Sequence, residues 1–399
     1  MIDSCDFEAQ ADFLMQGGAE VLPGGRQALI ARLKKSSSDD KPLRIKLGID
    51  PTGGDLHLGH TVCLQLLRKF QALGHLPVLL IGGFTAQLGD PSGRNEARPP
   101  LSAGEVRANS ETYLNQAGKV IDLSKLEQVN NADWLTPLTL GEVLKLISTT
   151  TINQLIAKEA FGERLEGGYP LYMHEIFYPI LQGYDSVALR ADIEIGGQDQ
   201  RFNLLAGRDL QKNFGQEPQL IMMMPLLVGL DGVKKMSKTA DNYIAVNDAP
   251  SEIYGKTMSV PDELLVSWYE LVLGADPEAL VSLKAKLSAG VNPRDLKMDL
   301  ARGIVEQYHG RELAKAAEDD FISRFQQKSI PSEMPEHHYR GESLIDVLAL
   351  NGLVESKGEA KRLIAGQGVQ VNSEKADSEI KLKAGDIVQI GKRKFLRLI

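Results

Sequence analysis

PLRIKLGIDPTGGDLHLGHTVCLQLLRKFQALGHLPVLLIGG, residues 42–83, carries a strand, a glycine-rich turn, a helix and a second strand in one run. Residues 42–50 form a short apolar segment ending in a turn, and Val62, Leu66, Phe70 and Leu73 then recur at helical spacing as far as Gly74. The segment PVLLIGG (77–83) follows as a second buried strand. That order is a βαβ unit, which requires two parallel strands joined by a crossover helix. VALRADIEIGG (187–197) and LIMMMPLLVGL (220–230) are further strand candidates beside helical patterns. The expected fold is therefore α/β, a doubly wound, Rossmann-like parallel sheet over roughly residues 40–235. Ligands of such sheets bind outside the carboxyl ends of the strands, where the glycine-rich stretches of this chain fall.

From about Pro250 the pattern changes. PDELLVSWYELVLG (261–274), PEALVSLKAKLSAG (277–290) and PRDLKMDLARGIVEQYHG (293–310) read as helices without strands. SIPSEMPEHHYRGES (329–343) has two prolines, polar residues and no periodicity, which marks a linker. Beyond it two short helices precede brief strands at VQVN (369–372), DIVQIG (386–391) and KFLRLI (394–399). We expect a catalytic domain at 1–235 with an N-terminal helical segment, a loop and helical domain at 236–327, a linker at 328–340, and a small α+β domain at 341–399. No internal repeat or low-complexity tract is evident.

The 399 residues are 43% hydrophobic and 25% charged, ordinary for a soluble protein, and no apolar run reaches the length of a membrane span. The N-terminal MIDSCDFEAQADFL lacks the basic region and unbroken apolar core of a secretory signal. Cys5 and Cys63 are too few for a disulfide framework, so a cytoplasmic protein with no membrane partner is expected. The net charge of −8 is uneven: residues 341–399 are +2, leaving −10 for the rest. That balance argues against nucleic acid wrapping the whole surface, and the basic end GKRKFLRLI (391–399) reads equally as a solvated tail strand or as a nucleic-acid contact. DNA is not an expected partner.

Three readings fit His57 and His60, three apart at a helix start: a helix cap, a metal site with Cys63, or a phosphate site on exposed helix N–H groups. The metal reading lacks a fourth ligand nearby, and one free cysteine rarely makes a zinc site; no metal site is expected. Gly59 would let a flat ligand approach the backbone. In GLDGVKKMSKTADNYI (229–244), Lys235 and Lys238 lie in a loop just after a predicted strand, where they can reach the same sheet edge.

HLGH (57–60) and KMSKT (235–239) together resemble the two signatures of class I aminoacyl-tRNA synthetases, each with one substitution. With GIDPT, IGGFTAQLGDPSGR, YPILQGYDSVAL and IGGQDQRFN, the chain is similar over nearly its whole length to the tyrosyl-tRNA synthetases, in the bacterial type with Lys before the LGIDPT turn. The resemblance implies activation of L-tyrosine by ATP with its Mg2+, then transfer to the tRNA for tyrosine, with no tightly bound cofactor and in a homodimer. It implies that His57, His60, Lys235 and Lys238 act on the phosphates. Thr52, Gly59, His60, Gly197, Asp199, Lys238 and Thr239 would bind ATP, with His60 near the ribose and Gly197 and Asp199 on its hydroxyls. Asp185 would accept the substrate's phenolic hydroxyl, Tyr178, Gln182 and Asp90 would hold its ammonium, and Gln200 would help position it. The spacing of Tyr178, Gln182 and Asp185 agrees, since it puts them on one face of a helix; a plain solvent-facing stripe has the same spacing.

Two departures stand out. Lys46 occupies the place where many tyrosyl enzymes have a Tyr as a second hydroxyl reader, and DPTGG replaces the commoner Asp-Pro-Thr-Ala. The last 59 residues resemble the small S-four-like RNA-binding module. Lys361, Arg362, Lys392, Arg393, Lys394 and Arg397 would there contact tRNA phosphates. Competing readings are a cofactor-making nucleotidyltransferase with the same HxGH element, a catalytically idle RNA-binding protein on a synthetase scaffold, and a tryptophan-specific relative.

Overall fold

Two compact units, Met1–Glu318 and Asp319–Ile399, make up the chain in the computed structural model, which describes residues 3, 5–90, 101–156, 159–323, 334–354, 356–377, 380–391 and 394–399. The first unit is built on a sheet of six strands: β1 (Glu20–Leu22), β2 (Arg44–Ile49), β3 (Leu76–Ile81), β4 (Glu127–Asn130), β5 (Ile193–Gly197) and β6 (Leu220–Met224). Their order is β1-β6-β5-β2-β3-β4. The four pairings that do not involve β1 run parallel, as the βαβ reading requires, and β1 pairs antiparallel with β6 at the edge. From β2 the chain moves outward through β3 and β4, then returns to lay β5 and β6 on the other side. The order therefore reverses between β2 and β5, and the crevice at their carboxyl ends is the place where such sheets bind ligands.

Burial explains the central strands. All five residues of β6 and five of the six in β3 are buried, the continuous apolar run expected of a parallel strand covered on both faces. β1 and β4 escape the sequence reading because EVL is only three residues and EQVN has neither alternation nor an apolar run; pairing with a neighbour makes them strands. The predicted strand at 187–197 begins later than expected. Val187–Leu189 close the helix Met173–Leu189, which stops at Arg190 in the left-handed conformation, and β5 starts at Ile193.

Helix Met173–Leu189 crosses helix Arg201–Asn213 where two glycines meet. A Cβ on Gly183 would lie 2.6 Å from Leu210 Cδ1 and 3.1 Å from the backbone of Gly207. That close approach seats the helix over β2 and β5. The helices beyond residue 250 pack on the same unit: Tyr308 donates to Thr61 Oγ1 (3.0 Å), Gln65 Nε2 to the Val272 carbonyl (2.7 Å), and buried Trp268 Nε1 to the Val228 carbonyl (3.1 Å).

The second unit has a sheet ordered β7-β11-β10-β8-β9, from β7 (Glu336–His337), β8 (Val369–Val371), β9 (Glu374–Lys375), β10 (Ile387–Ile390) and β11 (Lys394–Leu398). β7 comes from the stretch expected to be a linker, and it pairs parallel with β11. Two helices, Leu344–Leu350 and Lys357–Ala365, share a core with the sheet in which Val347, Leu348, Ala360, Val369, Val388 and Leu398 are fully buried.

Two identical substitutions should have opposite signs. Gly183→Ala forces a Cβ into the helix crossing and should cost about 1–3 kcal/mol. Gly255→Ala, in helix Pro250–Met258 with nothing within 4 Å of its Cβ position, should gain about 0.5–1 kcal/mol. Urea unfolding of the two variants measures both.

Candidate active site

Asp50, the residue after β2, organises one wall of the crevice. Its Oδ2 accepts from Tyr178 Oη (2.8 Å) and its Oδ1 from Thr85 Oγ1 (2.8 Å). Asn131 Nδ2 in turn donates to Thr85 Oγ1 (2.9 Å) and to Asp185 Oδ2 (3.2 Å), and Trp134 Nε1 donates to Asp185 Oδ1 (2.8 Å). The chain of bonds thus joins the end of β2, the turn after β3, the turn after β4 and the helix Met173–Leu189. Across the crevice Gln200 Nε2 donates to Asp90 Oδ2 (2.9 Å), and Asn203 Nδ2 to Gln200 Oε1 (2.8 Å). Asp50, Thr85, Asp90, Tyr178, Asp185 and Gln200 line a cavity of about 680 Å³, which also meets Thr52, His57, His60, Gly197 and Asp199.

Tyr178, Gln182 and Asp185 all face this cavity from one helix, as their spacing predicts. Asp185 is 1% exposed. Burial pushes its carboxyl up to about 7, against the charge of Lys46 and the donors Trp134 and Asn131, which pull it down, while Glu194 pushes it up. Burial, then the charges of Asp50 and Asp90, hold the Tyr178 hydroxyl well above its ordinary range, so it stays a donor.

The two signatures meet. Leu58 N–H donates to the Ile244 carbonyl (3.1 Å) and Val246 N–H to the Leu56 carbonyl (2.8 Å). This short antiparallel stitch ties the start of helix Leu58–Ala72 to the end of the lysine loop. His57 is the residue before the helix, and its backbone N–H donates to His60 Nδ1 (3.1 Å), so His60 does cap the first turn. The rings lie 3.8 Å apart. His57 Nδ1 has no partner, and burial, then the charges of His60, Lys238 and Lys235, keep that imidazole neutral. Gly59 is the residue that allows this: a Cβ there would sit 3.0 Å from His57 Nδ1 and 3.6 Å from Met236 Cβ.

Lys235 Nζ pairs with Asp199 Oδ2 at 2.6 Å, so two residues assigned to different parts of ATP hold each other. Lys238 Nζ lies 3.4 Å from Tyr113 Oη and 5.5 Å from the centre of that ring. Burial lowers its pKa from the ordinary lysine value. A Cβ on Gly53 would come within 2.9 Å of Lys238 Nζ, the mobile end of a long side chain, so the DPTGG loop lies directly against this lysine. Thr239 lines the cavity beside them. Among the described residues no three His, Cys, Asp or Glu side chains are gathered to hold a metal ion, and burial pushes the Cys63 thiol up to about 12.

Sequence reasoning passed over several of these groups. Thr85 and Trp134 sit in four-residue helices, Thr85–Leu88 and Ala132–Leu135, and Asn131 just before the second, all too short to show periodicity, and Tyr113 lies on the helix Ala103–Ala117 with no pattern pointing at the site. Asn242 holds the lysine loop from inside: its Oδ1 accepts from Ser237 N–H (2.8 Å), and its Nδ2 donates to Asp231 Oδ2 (2.9 Å) and the Lys235 carbonyl (3.2 Å). Its burial at 2% beside two lysines was the only hint, and only the fold shows it. In the second unit Lys361 and Arg362 are exposed on their helix. Lys394 Nζ donates to the Leu353 carbonyl (2.8 Å) and Arg397 faces Glu336 (3.5 Å). Lys392 and Arg393 lie outside the described residues.

The raised Asp185 makes a signed prediction. Its unfolded pKa is about 3.9, so between there and 7 the native state keeps a proton that the unfolded chain has lost. Stability from this group is full at low pH and is lost as pH rises through 7. Relative to Asp185→Asn, the parent chain should lose stability from about pH 4 to 7 and run parallel to the variant above about pH 8; urea midpoints across that range measure it.

The family of tRNA synthetases class I (W and Y) matches residues 38–326, and the S4 domain matches residues 343–388. The tyrosine–tRNA ligase of Carboxydothermus hydrogenoformans is 48% identical over 99% of this chain and 98% of its own length. That of Moorella thermoacetica is 47% identical over 98% and 95%. Among solved structures, a C-terminally truncated mitochondrial tyrosyl-tRNA synthetase of Aspergillus nidulans superposes with a TM-score of 0.65 at 20% identity, over 80% of this chain and 94% of that one. The Archaeoglobus fulgidus tyrosyl-tRNA synthetase complexed with L-tyrosine gives 0.63 at 21%, over 78% and 100%. Those structures share the fold; the family match spans the five parallel strands, both signatures and the helices beyond them, and the chain belongs to the class I tRNA synthetases of the tryptophan and tyrosine group.

Proposed function

We propose that the chain is a tyrosine–tRNA ligase: it activates L-tyrosine with ATP to tyrosyl-adenylate and pyrophosphate, then transfers the tyrosyl group to the 3′-terminal adenosine of the tRNA for tyrosine. The observation that carries this reading is Asp185. Each of its oxygens takes one donor, from Trp134 and Asn131, which leaves a carboxylate turned to the cavity with acceptor capacity to spare. A phenol satisfies it. Phenylalanine would leave that remaining acceptor capacity buried and unmatched, which is costly. An idle scaffold has no use for a buried acid, and a maker of small cofactors has none for the C-terminal module. Pyrophosphate exchange with each amino acid tests the reading: exchange that depends on tyrosine supports it, while exchange with tryptophan or with none overturns it.

The chemistry needs no protein nucleophile. A carboxylate oxygen of tyrosine attacks the α-phosphorus, the bond to the β-phosphate oxygen breaks, and pyrophosphate carries away the electron pair. Catalysis is then positioning, plus stabilisation of charge growing on the phosphates. Asp90, Tyr178 and Gln182 would hold the ammonium, with Gln200 fixing Asp90. The start of helix Leu58–Ala72 would face the phosphates with Gly59 and His60, with Thr52 and Thr239 beside it. Neutral His57 brings an unengaged ring nitrogen. Asp199 and Gly197 would take the ribose hydroxyls once Lys235 leaves Asp199 for the phosphates, so loop movement exchanges one partner for the other. Magnesium would come with the ATP as a hard cation on phosphate oxygens.

The second unit would bind tRNA through phosphate contacts of Lys361 and Arg362 together with the basic run at 392–397. Leu140, Leu144, Ile152, Tyr172 and Met173 are large apolar side chains left more than half exposed in the first unit, and a homodimer would give them cover. A cytoplasmic setting agrees with two unpaired cysteines and with no described helix long and apolar enough to cross a membrane.

Lys238→Ala should slow adenylate formation by about 10²-fold or more while tyrosine affinity stays within about twofold; single-turnover kinetics and equilibrium binding separate the two. An unchanged single-turnover rate removes Lys238 from the mechanism. Because β7 pairs with β11, the C-terminal excision should start at residue 324. It should spare tyrosine activation and impair tRNA charging, and equal loss of both activities would refute that division.

A further inference from the structure

Lys46 is a charged residue in the middle of a buried strand, 1% exposed, with all three of its ammonium donors engaged. Its Nζ donates to Glu194 Oε1 (2.8 Å), Ser186 Oγ (2.9 Å) and the Gln182 carbonyl (3.1 Å). Glu194 is its cross-strand partner on β5, equally buried, and the two residues bridge the switch point between β2 and β5. Glu194 Oε2 is held in turn by Ser186 Oγ (3.0 Å) and by Gln219 Nε2. Ser186 and Gln182 belong to the helix that carries Tyr178, Gln182 and Asp185. The sheet therefore grips that helix at one turn, next to the carboxylate that faces the substrate phenol.

We infer that the Lys46–Glu194 pair is the specificity device of this pocket: Lys46, anchored on Glu194, positions the turn of the helix that presents Gln182 and Asp185 to the substrate. The inference rests on the proposed tyrosine chemistry. It gives the place of the second hydroxyl reader to a residue that is fully engaged by protein groups and acts on the phenol through Asp185. Lys46 is thus a positioning residue. Buried pairs as a class are weak evidence for stability, which makes a purely stabilising role the poorer account of this one.

The groups facing Asp185 are Lys46 from β2, Glu194 from β5, Asn131 and Trp134 from the turn after β4, and Tyr178 from its own helix, with Asp50 and Asp90 beyond Tyr178. Lys46 and Glu194 act on Asp185 with opposite sign. Removing them one at a time should therefore shift the same titration in opposite directions, which loosened packing would not do.

The experiment uses the full chain and Lys46→Met, Glu194→Gln and the double variant. Tyrosine-dependent and phenylalanine-dependent pyrophosphate exchange are followed against pH, with KM for ATP and thermal midpoints alongside. In the parent chain kcat/KM for tyrosine should rise through an inflection near 7. Lys46→Met should move that inflection up by about one pH unit and lower kcat/KM for tyrosine at neutral pH about tenfold, with phenylalanine and KM for ATP changed less than about twofold. Glu194→Gln should move it down, and the double variant should return it toward the parent value. A folded pair of single variants with the inflection unmoved, or with both moved the same way, overturns the inference. If Lys46→Met does not fold, the direction of the shift in Glu194→Gln decides alone. No exchange with tyrosine in the parent chain would instead defeat the function proposed above.

Discussion

Two backbone hydrogen bonds, from Val246 N–H to the Leu56 carbonyl and from Leu58 N–H to the Ile244 carbonyl, hold together elements that nearly two hundred positions separate. The place of the two loop lysines, Lys235 and Lys238, depends on them. They bring the lysine loop over the first turn of a helix whose N–H groups already favour an anion. They also explain why Gly59 must be small, since Met236 and the His57 ring close on it from two sides. Within the loop, Asn242 replaces a regular element. One buried amide bonds to both ends of the turn, so the lysines are carried on a segment that is ordered inside yet joined to the sheet at few points.

The opposite wall is organised by burial of acids. Asp50 and Asp185 are linked through Thr85 and Asn131, and each accepts from donors that tertiary packing places around it. A carboxylate in that setting is expensive to bury, and Asp185 responds with a pKa near 7. Its two protein donors leave acceptor capacity on the cavity side. The charged pair beneath it, Lys46 with Glu194, joins two strands at the one place in the sheet where the connection order reverses. Ligand recognition and sheet assembly thus share residues in this protein.

Some of this was readable from residue spacing. Tyr178, Gln182 and Asp185 share a helix face because their separations match a helical period, and His57 and His60 share a turn for the same reason. Local backbone geometry converts such spacing into position whatever the rest of the chain does. Asn131 and Trp134 obey no period; they reach Asp185 because β4 pairs with β3 and points its following turn at the helix. β4 itself is a strand only through that pairing. Lys46 and Glu194 left a trace that was not interpreted: two lone charges of opposite sign, each centred in an apolar strand, are compatible with burial only if they meet.

Sequence by itself determined the βαβ start, the parallel sheet, the helical stretch after it and the residue types of both signatures, because hydrophobic period and turn chemistry act within a few neighbouring residues. Tertiary structure alone decided which distant groups touch: Lys235 with Asp199, Lys238 with Tyr113, Lys46 with Glu194, and the stitch of 56–58 to 244–246. It also decided that residues 336–337 join a sheet rather than a linker. The reason is physical. A contact between remote residues has an energy that no local pattern records, and it appears only when the strand order places the two segments side by side.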